Sequence, residues 1–189
     1  CHEHEIFLDL CGKIIVSTSV TQNETLSLLE ARGKANSVQC RWMSMAEARE
    51  REPFVQGEKA LLVEDAGIVD FKSVCRALQC EVESSGGEVV LNSKVKHLQR
   101  WQSKWRVETE MRVWEADAVI NCAGVYSDRL LQASGLERGI RIIPFRGEYF
   151  TLQSDAANYC RHLIYPVPDP ALPFLGVHFT RTPRGEVEV

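Results

Sequence analysis

His178 stands in the segment Phe-Leu-Gly-Val-His-Phe-Thr-Arg, which ends at Arg181, and a histidine can accept a proton near neutral pH. A strand over residues 174–181 would turn three apolar side chains toward the core, namely Leu175, Val177 and Phe179. His178 would then point to the opposite face, beside Gly176, which leaves room for a ligand. This pattern predicts a general base, although a half-exposed, hydrogen-bonded histidine would give the same pattern. Arg181 falls on the Leu175 face unless the strand ends first, so its pairing with His178 stays open.

Arg146 is a second candidate, in the segment Pro-Phe-Arg-Gly-Glu-Tyr over residues 144–149. On a regular strand it shares a face with Glu148. Its guanidinium could hold an anionic group through a forked contact. The alternative is an Arg146–Glu148 pair at the surface, which contributes little to stability.

The turn that follows the apolar residues 118–120 is a third candidate, because Asn121 and Cys122 lead there into Ala123 and Gly124. Small residues between a strand and a helix let a ligand approach the backbone, and free N–H groups at a helix start attract anions. An ordinary strand-to-helix connection has the same composition, so the segment alone does not decide between the two.

Several other kinds of site find no support in the sequence. His2 and His4 have no third and fourth ligand, and nothing singles out His97 or His162. The patterns of serine hydrolases, zinc proteases and P-loop enzymes are absent. The twelve glycines include no G-x-G-x-x-G, the fingerprint that places a dinucleotide at the first helix of a βαβ unit. Residue patterns alone therefore do not predict a flavoprotein.

Periodicity predicts the elements that must position these residues. Helices are predicted at 22–35, 44–51, 70–85 and 127–133. Strands are predicted at 12–18, 60–64, 88–91, 94–99, 104–109, 111–115, 118–120, 141–152 and 174–181. Asn23, Asp70 and the Gly86-Gly87 pair fit helix ends, and Gln102-Ser103 fits a turn in a β-meander.

This order of elements predicts a mixed α/β (α+β) fold. The middle of the chain, 67–138, combines a helix, a meander and a second helix, while the flanks, 1–66 and 139–189, are richer in strand. A domain whose two parts are separated in the sequence would explain this arrangement.

Composition narrows the class of protein. The chain has 189 residues, 44% of them hydrophobic and 25% charged, which is typical of a globular protein and not of a disordered one. A net charge of -4 gives no reason to expect nucleic-acid binding. No apolar run approaches the roughly 18 residues of a membrane span, although peripheral membrane contact stays open.

The seven cysteines are scattered, odd in number and without a C-x-x-C pair, which is typical of reduced thiols. We therefore expect a cytoplasmic protein or one peripheral to the inner membrane, since no secretion signal appears in this chain. The chain starts at Cys1 and stops at Val189 within an apparent strand, so we expect a fragment.

Seven segments, in their order and spacing, together resemble the L-2-hydroxyglutarate oxidases and dehydrogenases of the D-amino-acid-oxidase-like FAD-dependent oxidoreductases. They are GKIIV, REREPFVQG, GIVDF, VINCAGVYSD, IIPFRGEYF, LIYPVPDP and PFLGVHFTR. GIVDF and NCAG occur widely in that superfamily, whereas PFRGEY, YPVPDP and FLGVHFTR in succession are more specific. The resemblance spans nearly the whole chain.

The resemblance implies a partial two-domain FAD oxidoreductase. Residues 67–138 would be a portion of the FAD domain with its meander, and 1–66 and 139–189 would form a mixed-sheet substrate domain. Family members begin with an N-terminal Rossmann βαβ unit and close with a C-terminal segment, and this chain has neither.

The resemblance also implies FAD contacts and a reaction. Val95 would lie near the adenine, Cys122, Ala123 and Gly124 against the cofactor, and Arg146-Gly147 near the isoalloxazine. The implied reaction oxidises the C2 hydroxyl of L-2-hydroxyglutarate to give 2-oxoglutarate, with a hydride passing to the flavin and then to oxygen or a quinone. His178 would act as the base or hydroxyl partner. Arg146 or Arg181 would hold a carboxylate, and Tyr165 would line the pocket.

Two other functions compete with this one. A related flavoenzyme could oxidise an amine, as glycine or sarcosine oxidases do, although the FLGVHFTR segment argues against it. The chain could instead be an inactive remnant or interaction domain without a cofactor. For the 189-residue chain alone, we expect a colourless, incomplete enzyme.

Overall fold

The computed structural model describes residues 1–136, 139–172 and 174–189. Glu137, Arg138 and Pro173 lie outside the described residues, and with them the predicted boundary at 138 and the first residue of PFLGVHFTR. The chain forms two compact units, Cys1–Cys80 with Glu148–Val189 and Glu81–Gly147, here called the sheet unit and the meander unit. The assignment of 1–66, 67–138 and 139–189 to substrate and FAD domains stays a prediction.

Short helices and strands alternate along the described residues. The α-helices are α1 Asn23–Ala35, α2 Met45–Arg51, α3 Phe71–Ser84 and α4 Ser127–Ala133. The 3-10 helices are His2–His4, Val20–Gln22, Gly124–Tyr126 and Ser154–Tyr159. The strands are β1 Leu8–Asp9, β2 Lys13–Ser17, β3 Cys40–Met43, β4 Lys59–Val63, β5 Ile68–Val69, β6 Val95–Trp101, β7 Lys104–Thr109, β8 Val113–Ala116, β9 Leu163–Pro166, β10 Thr180–Arg181 and β11 Val187–Glu188.

A four-stranded sheet in the order β3-β4-β2-β9 forms the centre of the sheet unit. β9 runs parallel to β2, while β4 runs antiparallel to both of its neighbours. Ile14 and Leu62 pack with Ala48 of α2 on one face, and Leu61 packs with Leu26 of α1 on the other. The central strands are therefore apolar on both faces, which confirms the strands predicted at 12–18 and 60–64.

The helices of the sheet unit start close to where the sequence predicts. Ser44 caps α2, because its Oγ accepts the Glu47 N–H at 3.1 Å, and the helix ends before Pro53. Asn23 was expected to cap α1, and this expectation is wrong. Asn23 is the first helical residue, and its Oδ1 accepts the Ser17 hydroxyl at 2.8 Å, which ties the helix start to β2.

α3 has the predicted ends and an exposed apolar face. Asp70 accepts the Lys72 N–H at 3.0 Å and the Ser73 hydroxyl at 2.6 Å, and this bond to Ser73 lowers the pKa of Asp70. Gly86 has φ 83°, the left-handed conformation that commonly follows a helix end. None of the helix residues is buried, and Phe71 is 72% exposed.

The meander unit is a three-stranded antiparallel sheet, β6-β7-β8, with α4 packed against β6. Cross-strand pairing puts Leu98, Val107 and Trp114 on one face, and Leu98 is buried. Gln102 turns the chain between β6 and β7 with φ 56°. These features confirm the predicted meander, its turn and the helix at 127–133, with strand ends shifted by one to two residues.

Four predicted strands are wrong in whole or in part. Residues 88–91 and 118–120 carry no strand, 141–152 contains only a bridge at Thr151, and 174–181 is reduced to β10 and a bridge at Phe179. A strand needs partners for its N–H and C=O groups, and within the described residues these segments have few. Leu175 and Val177 are exposed rather than in a core, so the predicted core face is also wrong.

No helix in the described residues is both long and apolar enough to cross a membrane.

Candidate active site

His178 lies on the face of the sheet that carries Tyr165. Phe179 pairs with Ile164 across an antiparallel bridge, so His178 and Thr180 point to the face opposite Ile164. The His178 ring stacks on the Tyr165 ring, with centroids 4.4 Å apart and an interplanar angle of 27°. Tyr149 meets the imidazole edge-on at 6.3 Å, so that two aromatic rings flank the candidate base.

A backbone carbonyl fixes the tautomer of His178. Its Nδ1 lies 2.9 Å from the Gly176 carbonyl oxygen, and a carbonyl can only accept. Nδ1 therefore carries the proton of the neutral ring and donates it, which leaves the Nε2 lone pair to accept a proton from elsewhere. The side chain is half-buried, so this lone pair can be reached by a ligand.

The space expected beside Gly176 is already filled. A Cβ at this position would lie 3.0 Å from Cγ of Pro166, so the glycine permits close approach of the two segments rather than room for a ligand. The prediction that Gly176 opens a ligand space next to His178 is thus wrong. The glycine instead lets residues 176–178 pack against the end of β9.

Lys13 reaches the same tyrosine from the other side of β9. Its Nζ lies 4.3 Å from the centre of the Tyr165 ring, a cation–π contact. In the parallel register Lys13 opposes Leu163 and Ile15 opposes Tyr165, so Lys13 and Tyr165 share a face. Sequence reasoning missed Lys13, although a lone cation beginning the apolar run Ile14–Val16 was a visible signal.

Arg181 is held by an ion pair away from this face. Its Nη1 donates to Oδ2 of Asp9 at 3.0 Å and to the Arg161 carbonyl at 3.1 Å. Both partners fix β10 to β1 and to the start of β9. The role of Arg181 in holding a substrate carboxylate stays a prediction.

A buried carboxylate anchors the start of β9. Oε1 of Glu52, a residue that is 1% exposed, accepts the backbone N–H groups of Arg161 at 2.8 Å and His162 at 2.6 Å, and lies 2.7 Å from Nδ1 of His162. Its Oε2 has no hydrogen-bond partner within the part of the chain that the structure describes. Burial, together with Glu52, raises the pKa of the nearby Cys160 thiol to about 12. Sequence reasoning missed this cluster because its members are 110 residues apart.

A cleft of about 310 Å³ opens beside Tyr165 in the sheet unit. Its lining is mainly apolar and includes the aromatic rings of Phe54, Tyr159 and Phe179. Its lining residues Ile164 and Phe179 point to the face of the sheet opposite to His178, and His178 is not part of the lining.

The meander unit contains a larger cleft, of about 700 Å³, which Val95 and Ala123 both line. Lys94, Lys96 and Arg129 surround it, and Arg129 lies over the Tyr126 ring at 5.2 Å. The structure thus brings together two of the residues predicted to contact a cofactor.

The other predicted cofactor residues lie outside the lining of this cleft. Cys122 and Gly124 flank Ala123 in the sequence and are exposed, and Gly124 has φ 56°. Asn121 holds their turn by accepting the Ala123 N–H at 3.1 Å. Arg146 and Gly147 are exposed at the end of the unit.

A protein family described as FAD-dependent oxidoreductase (DAO) matches residues 1–189. The chain belongs to this family. L-2-Hydroxyglutarate dehydrogenase from Escherichia coli (strain K12) is 40% identical over 190 residues, which cover 100% of this chain and 45% of that protein. The human mitochondrial L-2-hydroxyglutarate dehydrogenase is 31% identical over 200 residues, with 99% of this chain and 43% of that protein covered. The chain therefore spans less than half the length of these curated relatives.

Solved structures agree with membership in the FAD-dependent oxidoreductase family at the level of the fold. Glycine oxidase from Geobacillus kaustophilus superposes with a TM-score of 0.79 at 18% identity, covering 97% of this chain and 48% of that one. L-Proline dehydrogenase from P. horikoshii gives a TM-score of 0.86 at 14% identity, covering 99% and 50%. The mixed α/β fold expected from the sequence is confirmed as that of part of an FAD oxidoreductase.

The residues around the 700 Å³ cleft fit the cofactor of this FAD-dependent oxidoreductase family. FAD carries an anionic pyrophosphate and flat rings, and the cleft offers the cations of Lys94 and Arg129 beside the Tyr126 ring and apolar Val95. Lys96 already pairs with Glu110, so it is less available to an anion. In the described part of the chain, no cluster of histidine, cysteine or acidic residues could hold a metal ion.

Proposed function

We propose that the protein carrying this chain oxidises the C2 hydroxyl of L-2-hydroxyglutarate to give 2-oxoglutarate, with FAD as oxidant. One observation carries the proposal: His178 donates Nδ1–H to the Gly176 carbonyl and keeps Nε2 as a proton acceptor, stacked on Tyr165. Relatives named L-2-hydroxyglutarate dehydrogenase, at 40% and 31% identity, support the choice of substrate.

His178 would act as the general base. Oxidation of a secondary alcohol removes the hydroxyl proton and the hydrogen on C2 together with two electrons. Nε2 accepts the proton, and the resulting imidazolium is stabilised by its stack on Tyr165. FAD, when bound, would supply the acceptor for the hydride that leaves C2.

Individual residues of the chain would then hold the ligands. Val95, Ala123 and their neighbours Cys122 and Gly124 would contact FAD, and Arg146-Gly147 would lie near the isoalloxazine. Arg146 or Arg181 would bind a carboxylate of the substrate, and Tyr165 would line its pocket. The cationic cleft supports the contacts of Val95 and Ala123 with FAD, and the aromatic pair on the sheet supports the place of Tyr165 in the substrate pocket.

The decisive test replaces His178 in the holoenzyme that carries this chain. For His178→Gln we expect kcat to fall by about 10²- to 10⁴-fold, because the general base is lost, with unchanged flavin absorbance. His97→Gln, a change at an exposed histidine of the meander, is the matched control and should leave kcat unchanged. Full turnover by His178→Gln would remove His178 from the mechanism.

The same holoenzyme separates the competing functions. Turnover of glycine or sarcosine in place of L-2-hydroxyglutarate would indicate an amine oxidase, and absence of any turnover would indicate an inactive remnant. Peroxide release against reduction of a soluble quinone distinguishes oxygen from a quinone as electron acceptor. We further propose a location in the cytoplasm or at the periphery of the inner membrane, which the seven free cysteines support.

A further inference from the structure

Lys13 differs from Arg41 and Arg181 of the sheet unit in what its charge contacts. Arg41 pairs with Glu47 and Glu64, and Arg181 pairs with Asp9. Lys13 contacts the Tyr165 ring instead, and among residues 1–136, 139–172 and 174–189 it has no carboxylate partner. The Lys13 ammonium is half-buried and lies on the same face of the sheet as the candidate base, so it could bind an anionic group of a ligand there.

Both Lys13 and His178 are positioned by a single ring. β2 lies on one side of β9 and residues 178–180 lie on the other, so Tyr165 stands between them. The Lys13 Nζ and the His178 ring centre are 4.3 and 4.4 Å from the Tyr165 centre. The ammonium is therefore no farther from the imidazole centre than the sum of these two distances.

This spacing suits a short dicarboxylate. The C2 and C5 carbons of a 2-hydroxyglutarate are joined by three bonds of about 1.5 Å each. A hydroxyl hydrogen-bonded to Nε2 of His178 can then leave the distal carboxylate within reach of the Lys13 ammonium. Such a contact is a charge-assisted hydrogen bond.

We propose that Lys13 determines substrate specificity by binding the distal carboxylate, so that a 2-hydroxy dicarboxylate is preferred over a monocarboxylic 2-hydroxy acid. The inference rests on the proposed function, because it needs His178 to bind the C2 hydroxyl. Lys13 would contact only the distal end of the substrate, while other groups act at the reacting carbon.

The test compares two substrates on the holoenzyme that carries this chain, L-2-hydroxyglutarate and L-2-hydroxyvalerate, in which a methyl group replaces the distal carboxylate. For Lys13→Met, which keeps the aliphatic stem against Tyr165, we expect kcat/KM for the dicarboxylate to fall about 10- to 150-fold, mostly through KM. The value for L-2-hydroxyvalerate should change less than about 2-fold. Lys13→Arg should restore part of the loss, since it restores the charge.

Lys59→Met is the matched control, because Lys59 also lies over an aromatic ring, that of Trp42 at 5.7 Å, and pairs with the opposite end of β2 at Ser17. It should leave the ratio between the two substrates unchanged. Inhibition by glutarate, which lacks the reacting hydroxyl, should weaken in Lys13→Met by the same factor as kcat/KM.

The outcomes separate the two proposals. Equal losses on both substrates, or no loss on either, would overturn the role of Lys13 while leaving hydroxy-acid oxidation in place. Wild-type enzyme that oxidises neither substrate would instead refute the proposed function, and the role of Lys13 with it.

Discussion

Replacing Glu52 should destabilise the sheet unit more than any change at an exposed carboxylate. In Glu52→Ala, the part-buried hydrogen bonds from the Arg161 and His162 N–H groups lose their acceptor, and a donor left unpaired away from water costs about 1–3 kcal/mol. The variant also loses the contact of Oε1 with Nδ1 of His162, which are 2.7 Å apart. We therefore expect the free energy of unfolding to fall by about 3–5 kcal/mol.

Glu52→Gln tests whether the sheet unit is stabilised by the hydrogen-bond geometry of this side chain or by its charge. Its amide oxygen can take the place of Oε1 and keep both backbone bonds, so we expect a loss of only about 1 kcal/mol. Urea unfolding followed by circular dichroism measures both variants, and Glu50→Ala, at an exposed site on α2, is the control and should stay within about 0.5 kcal/mol. A loss below about 1 kcal/mol in Glu52→Ala, or equal losses in the Ala and Gln variants, would refute this account of the anchor.

Two further predictions concern exposure. With a pKa of about 12, the Cys160 thiol is ionised to only about one part in 10⁴ at pH 8. We therefore expect Cys160 to react with a thiol reagent only after unfolding, while the exposed cysteines react at once. Reaction of all seven thiols at one rate in the native protein would contradict this. Phe71→Glu, on the exposed face of α3, should lower the self-association of the purified chain measured by sedimentation. It should change the free energy of unfolding by less than about 0.5 kcal/mol. A larger loss of stability would show that this face is covered in the protein.

Local signals predicted local structure well. Ser44 and Pro53 bound α2, and Gln102-Ser103 marks the meander turn, because caps and turns are decided by residues close in sequence. The strands predicted at 118–120 and 141–152 failed for the opposite reason. Their apolar, β-branched composition fits a strand, but a strand forms only where another strand supplies hydrogen bonds, and composition does not say where that partner is.

The candidate site shows the same division. The alternation around Phe179 correctly predicted that His178 and Thr180 point away from Phe179, since period two is a local property of an extended chain. It could not predict that Tyr165 and Lys13 meet at that face, because this depends on the parallel pairing of β2 with β9, about 150 residues apart. Nor could it predict that Pro166 fills the space beside Gly176.

Core packing and the candidate chemistry are linked through the register of β9. A slip of one residue against β2 would turn Tyr165 to the α2 face and bring Ile164 to the face of Lys13. Leu163 is buried on one face of β9 while Ile164 packs with the α2 cluster on the other, so the slipped register would bury the phenol and expose an apolar side chain. Glu52 adds a second constraint, because it holds the two N–H groups immediately before β9. The stack of His178 on Tyr165 is therefore positioned by a buried carboxylate that need not touch the substrate, and loss of that anchor should lower activity and stability together.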